Sequence, residues 1–218
     1  AVPTGANAIT FDTTSTNNVF IDSLGTWSGG TFTISAGYTG TINLNGKTLN
    51  VTTFSQSDGI ITDTVGGAVI VASSTVTGGG GTWTGGKLKI NKAGNVTWTP
   101  SSTSWYDVQL NVTNDGSCCS GGNQTLTVSG TAIVTHDLTY SSGTTNGGTI
   151  NVGRNFDQTG GGGTTTFTFN GTGTQTLTRT SGGTSVSNPI IINKASGSVI
   201  MGTALTLSDD VTLTAGTV

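Results

Sequence analysis

Glutamate is missing from this chain; all ten acidic residues are Asp. Charge as a whole is scarce: Lys and Arg number seven, His one, and charged residues make up 8% of the 218. Proline is held to three residues, and the two cysteines, Cys118 and Cys119, are adjacent. Each scarcity excludes something. Seven scattered cations cannot track a nucleic-acid backbone. No apolar run approaches the ~20 residues of a membrane-spanning helix. A helical bundle is excluded as well, because Gly (36 residues) and Thr (47) are poor helix formers and Glu is a good one. The length suits one domain, or one stretch of a larger array.

Gly/Ser/Thr-rich chains are often disordered linkers, but the patterning here argues otherwise. Short alternating runs recur from end to end, among them Phe32-Thr33-Ile34, Thr48-Leu49-Asn50-Val51, Lys87-Leu88-Lys89-Ile90, Val108-Gln109-Leu110-Asn111-Val112 and Thr149-Ile150-Asn151-Val152. Apolar residues at i and i+2 mark a half-buried strand, and Thr and Asn between them suit an exposed pleated face. Punctuation such as Asn45-Gly46, Gly78 to Gly81, Asn146-Gly147 and Gly160 to Gly163 separates the runs. The chain reads as all-β.

Internal repetition decides the architecture. Gly25 to Ile34 matches Gly81 to Ile90, Ile90-Asn91-Lys92-Ala93 recurs as Ile192-Asn193-Lys194-Ala195, and Gly40 to Leu44 recurs as Gly148 to Val152. The phrases return in order but with unequal gaps. A solenoid tolerates this because each rung contacts only its neighbours. The expectation is a right-handed parallel β-helix of about ten short rungs spanning 1–218. At the ~4.8 Å strand spacing it would be a rod of about 50 Å. A loop-rich inserted stretch is expected at 99–124. A two-sheet, pilin-like β-sandwich is the alternative. Parallel stacking leaves strand edges open at both ends, and no capping segment is evident. The chain stops at Thr214-Ala215-Gly216-Thr217-Val218, inside a phrase that continues elsewhere as Ser35 to Ile42, and it begins without a signal peptide. It therefore reads as a piece of a longer chain or as an end completed by a partner.

Several phrases carry a resemblance. The run from Val2-Pro3 through Phe11-Asp12 to Ile21-Asp22, followed by Ser35 to Ile42, resembles the start of repeats in very large secreted bacterial surface proteins of the Gly/Thr/Asn-rich, adhesin-like kind. Phe169-Asn170-Gly171-Thr172-Gly173-Thr174-Gln175-Thr176-Leu177-Thr178 and Ala204-Leu205-Thr206-Leu207 are similar to phrases of the same family. The resemblance covers most of the chain except 99–124. It implies a right-handed parallel β-helix with an extracellular structural or adhesive role, and it carries over no catalytic residues. Such proteins run far longer than 218 residues, a departure that fits a fragment or a small polymerising subunit.

Candidate chemistry is sparse. Cys118-Cys119 allows a strained vicinal disulfide, bonds to another chain, or free thiols, of which an oxidising compartment disfavours the last. Trp105, Tyr106 and Asp107 form a candidate contact or ligand loop, since aromatics recur in interfaces and sugar platforms; the bland reading makes Trp105 and Tyr106 a lid on the solenoid side. Asp209-Asp210 reads as a corner turn bonding its own backbone rather than as a glycosidase pair, because adjacent residues point apart. His136-Asp137 has no nucleophile motif beside it and reads as surface. The only clustered cations, Lys87, Lys89 and Lys92, are taken to lie near no Asp. Calcium-binding nonapeptides are absent, and no metal site, catalytic residue or cofactor is expected. The Asn-x-Thr sequons at Asn50, Asn95, Asn111, Asn123 and Asn170 arise readily in so Thr-rich a chain.

The leading expectation is a secreted, cell-surface structural protein, not an enzyme, that builds a layer, stalk or filament by end-to-end strand association. Its partners would be further copies of itself or the rest of a larger surface chain. The alternatives are an adhesion module binding glycan or a receptor on the solenoid side and, ranked last, a polysaccharide-degrading β-helix enzyme.

Overall fold

The computed structural model describes residues 7–22, 26–113, 124–180, 185–202 and 205–218. The described residues form an all-β parallel solenoid of about nine turns with no helix. Every inter-rung pairing among them is parallel, whereas a pilin-like sandwich would need antiparallel pairs.

Three columns of stacked strands make three faces. Face A starts with Ile9–Phe11 and continues through the second halves of Thr26–Ile34 and Thr48–Gln56 to Val76–Gly78, Val96–Thr99 and Thr125–Val128. Face B starts with Val19–Phe20 and Thr41–Asn43 and ends on Val211–Thr217. Face C starts with the first halves of Thr26–Ile34 and Thr48–Gln56. It runs through Val69–Ala72, Lys87–Ala93, Asp107–Thr113, Leu138–Ser142 and Phe156–Gln158.

Alternation within each strand sends one set of side chains inward. In Thr48–Gln56, Leu49, Val51, Phe54 and Gln56 are buried and the residues between them are not. The parallel register then stacks apolar on apolar. On face B, Trp105, Val134, Val152, Phe169 and Ile192 stand one above the other. Aromatic rings follow the axis inside: Phe32 to Phe54 at 5.9 Å, Phe54 to Trp83 at 5.8 Å, Trp83 to Trp105 at 5.7 Å. On the outward side of face A the same register aligns Thr10, Thr33, Ser55, Thr77 and Thr99.

Turn length is irregular: 17 residues separate Val152 from Phe169, 23 separate Phe169 from Ile192, and 30 separate Val108 from Leu138. The excess in the last case lies at one corner. Two residues join Lys87–Ala93 to Val96–Thr99, but eleven join Asp107–Thr113 to Thr125–Val128. Residues 99–113 themselves build rungs in register with their neighbours. Cys118 and Cys119 fall within 114–123, outside the described residues.

Sequence repeats do not keep their face. Thr82–Trp83 lies on face B and Lys87–Ala93 on face C, yet the matching Thr26–Ile34 lies on faces C and A. Any phrase with apolar residues at i and i+2 can wall any side of the core, so the repeats work as strands rather than as whole turns.

Candidate functional site

The corner between faces B and C brings together the charged side chains of Asp63, Lys87, Asp107, His136, Asp137 and Arg154. Its geometry starts from a backbone device. Val108, Leu138, Phe156 and Leu177 pair in series, so the residues before them (Asp107, Asp137, Asn155 and Thr176) hold equivalent corner positions. Asp107 Oδ1 accepts the Asp137 N–H at 3.0 Å, Asp137 Oδ1 accepts the Asn155 N–H at 3.1 Å, and Asn155 Oδ1 accepts the Thr176 N–H at 3.0 Å. Asn18 to Thr41 and Asn95 to Thr125 repeat the arrangement at the other corners, both at 2.9 Å. A carboxylate or amide one methylene from the backbone spans the distance between rungs. A Glu side chain is one methylene longer and would have to fold back to make the same bond.

The residues one step earlier, Tyr106, His136 and Arg154, stack outside this ladder. The Tyr106 and His136 rings lie 4.3 Å apart and 15° from parallel. His136 Nδ1 is 2.7 Å from Asp107 Oδ1 and 4.0 Å from Asp137 Oδ2. With Asp107 ionised, Nδ1 carries the proton and donates. Arg154 grips Asp137 with two nitrogens, Nε to Oδ1 at 2.7 Å and Nη2 to Oδ2. Burial opposes ionisation of Asp137. Together, the Arg154 hydrogen bond, the Asn155 N–H and the charges of Arg154 and His136 outweigh it and hold the carboxyl below its ordinary pKa. The same hydrogen bond raises Arg154.

Beside this network runs a groove of about 360 Å³ bounded by Asp63, Lys87, Tyr106 and Asp107, with Gly85 and Gly86 in its wall. Gly85 lets its turn approach the Asp63 backbone closely, where a Cβ would come within 3.0–3.1 Å. Asp63 is already committed, since Oδ1 accepts the Gly46 N–H and Oδ2 the Ala68 N–H, both at 2.8 Å. Burial raises its carboxyl, and the backbone N–H groups of Ala68, Gly46, Gly66 and Val65 together lower it further than burial raises it.

Several expectations change here. Lys87 is not remote from Asp: the register sets it directly beside Asp107 on the adjacent strand, and both border the groove with Asp63. His136 is half-buried, and its carboxylate partner is Asp107 rather than its sequence neighbour Asp137. Trp105 is fully buried and points into the core, so of the expected contact loop only Tyr106 and Asp107 reach the surface corner. Asp209 Oδ1 accepts the Asp210 N–H at 2.8 Å in an exposed turn, as a corner Asp should. Of the sequons, Asn95 and Asn111 spend their side chains on Thr125 and Asn91, and Asn123 lies outside the described residues.

Arg154 and Lys194 escaped sequence reasoning. Lys194 is buried. Its Nζ donates to the carbonyls of Gly171 and Gly173 (2.5 and 2.8 Å) and to Gln175 Oε1 at 2.7 Å. Its near-twin in the repeated phrase, Lys92, is only half-buried, so the phrase carried no signal of this burial.

Chemically the corner is a closed ion-pair network. Among the described residues no hydroxyl or thiol is hydrogen-bonded to the His136 ring, whose one side-chain hydrogen bond is to Asp107. Asp107, His136 and Asp137 offer ligand atoms within 4.8 Å of one another, but the Arg154 guanidinium occupies both oxygens of Asp137, where a divalent cation would have to compete with it. No family model, no curated protein and no solved structure is significantly similar to this chain.

Proposed function

We propose that the chain is a structural module of an extracellular surface layer, stalk or filament, of the adhesin-like kind its phrases resemble, extended by strand pairing at its ends. One observation carries this reading. Val211 and Leu213 stand in register with Ile190 and Ile192, which are buried, yet they are 44% and 56% exposed. Among the described residues, Val211–Thr217 thus offers a backbone edge together with apolar positions that the face-B strands before it cover with the next rung. Ile9, Phe11 and Val19 hold inward positions in the first rung and are only partly buried. A second copy stacked head to tail would therefore meet apolar with apolar and edge with edge. Such a contact is heterologous and propagates as an open fibre.

Electron microscopy of the purified chain tests this. Fibres are expected, and Leu213→Lys should abolish them while leaving a folded rod. A monodisperse monomer at every concentration would overturn the proposal.

A second reading, adhesion through the solenoid side, is favoured by the corner groove, where the Tyr106 ring, Lys87 and Asp107 offer an apolar plate beside charged and polar groups. Binding on a glycan array that is lost in Tyr106→Ala would support it.

A further inference from the structure

Face A differs from the other two faces. Its first outward rank, from Thr10 to Thr99, carries only Thr and Ser on five successive rungs. From the second of these rungs on, a second rank stands two residues earlier on each strand. Thr31 pairs with Thr53, Thr97 pairs with Thr127, and Thr75 lies between them, two residues before Thr77. The result is a repeated Thr-x-Thr, as in Thr31-Phe32-Thr33, Thr75-Val76-Thr77 and Thr97-Trp98-Thr99, whose middle residue is buried every time. Burial of that residue points both flanking hydroxyl side chains to solvent. β-Branching restricts each Thr to few rotamers, so hydroxyls and methyls repeat with the backbone.

Three properties follow from the register. First, the array is two-dimensional, with steps of about 4.8 Å from rung to rung and about 6.7 Å along a strand. Second, it carries no charge, whereas face C carries Lys87, Lys89, Asp107 and Asp157. Third, its hydroxyls are unused: among the described residues, none in either rank is hydrogen-bonded to another protein group. On face C, by contrast, several hydroxyls are consumed, Ser141 by Gln109, Ser142 by Asn111 and Thr178 by Asp157. Face B has hydroxyls too, but the apolar Ile60 and Ile133 interrupt them, both more than a third exposed.

We propose that face A binds the surface of ice. Oxygens on the prism plane of hexagonal ice repeat along two perpendicular directions with a similar pair of spacings. A rigid, uncharged Thr array of that mesh can hold water in the same pattern, the hydroxyls replacing lattice water and the methyls filling the gaps between. A charged face could not, because ions impose their own hydration shell. Each contact is weak, and binding comes from many contacts made at once by a surface that loses no conformational entropy in making them. The array ends at Thr127, whose register partner on the next strand is Asn146. This role is independent of head-to-tail assembly and needs only a folded monomer.

Thermal hysteresis, together with uptake of the protein into a slowly growing ice hemisphere, tests it on the full chain. The folded wild type should lower the freezing point below the melting point, shape ice crystals and enter the ice. Thr77→Lys, at the centre of the array, should lose most of this activity. Thr139→Lys, the same change at an outward position of face C, should keep it. Circular dichroism checks folding, and Thr33→Lys is the second array variant should Thr77→Lys not fold. A folded wild type that shows no hysteresis and is excluded from ice would overturn the proposal. So would equal activity in the Thr77→Lys and Thr139→Lys proteins, or binding to insoluble cellulose or chitin in the absence of any ice activity.

Discussion

Asp107 Oδ1 accepts the backbone N–H of Asp137, 30 residues further along the chain and one turn up the solenoid. Asp137 does the same for Asn155 and also holds Arg154. The corner thus couples backbone capping to an ion pair in a single side chain. Asp137→Asn keeps an oxygen for the Asn155 N–H but gives up the charge for Arg154. Asp137→Ala loses both. The expected order of stability is wild type, then Asn, then Ala. The Ala variant should lose about 1–3 kcal/mol, chiefly for the stranded N–H, and the Asn variant less than about 1 kcal/mol because Arg154 is half exposed and solvent screens the pair. Urea titrations of the three proteins check the order.

The same carboxyl makes stability depend on pH. Its folded pKa lies below the ordinary 3.8. The unfolded chain therefore takes up the proton first as pH falls. The contribution is complete above the unfolded pKa and fades as pH drops through the folded one. Melting temperature should decline on acidification below about pH 4, and the decline should be shallower in Asp137→Asn. An identical slope in both proteins would mean that Asp137 is not the group responsible.

Much of this architecture is legible in the sequence, for a physical reason. A strand of period 2 with apolar residues at i and i+2 fits any wall of a three-sided core, and recurrence of such phrases with unequal gaps suits stacked rungs. The corner is not legible. His136 reaches Asp107 across 29 residues because one turn is lengthened near 114–123, a register that no local pattern reports. The neighbouring Asp137 is the obvious partner on paper, but it faces Arg154 instead. Repeats mislead in a related way, because Ile90-Asn91-Lys92-Ala93 and Ile192-Asn193-Lys194-Ala195 look interchangeable. The first lies on face C. The second begins on face B and turns its lysine inward.

The buried tryptophans separate packing from hydrogen bonding. Trp83 Nε1 donates to Gln56 Oε1 at 2.7 Å, while the indole N–H groups of Trp98 and Trp105 have no partner. Replacing each by Phe removes similar volume from the same aromatic stack. Trp83→Phe also strands a buried amide oxygen, whereas Trp98→Phe and Trp105→Phe remove an unsatisfied donor. Trp83→Phe should therefore be the most destabilising of the three, by about 1–3 kcal/mol relative to the other two. Chemical denaturation of the three variants reads this difference directly.

Lys194 gives the opposite pH signature to Asp137. Burial lowers its pKa from 10.5. Its three protons meet two carbonyls and one amide oxygen, and no carboxylate is among these acceptors. The unfolded chain holds the Lys194 proton more tightly than the folded one. Stability should then rise as pH climbs through the folded pKa towards 10.5. Tyr38 and Tyr140 work against this only above their ordinary value of 10.0, because burial raises both and the unfolded phenols ionise first. Lys194→Met removes the lysine contribution and leaves the tyrosines. Wild type should therefore gain on the variant between neutral pH and about 10, as followed by urea midpoints across that range. A constant gap between the two proteins would show that Lys194 is no harder to protonate folded than unfolded, and that three neutral oxygens solvate its ammonium as well as water does.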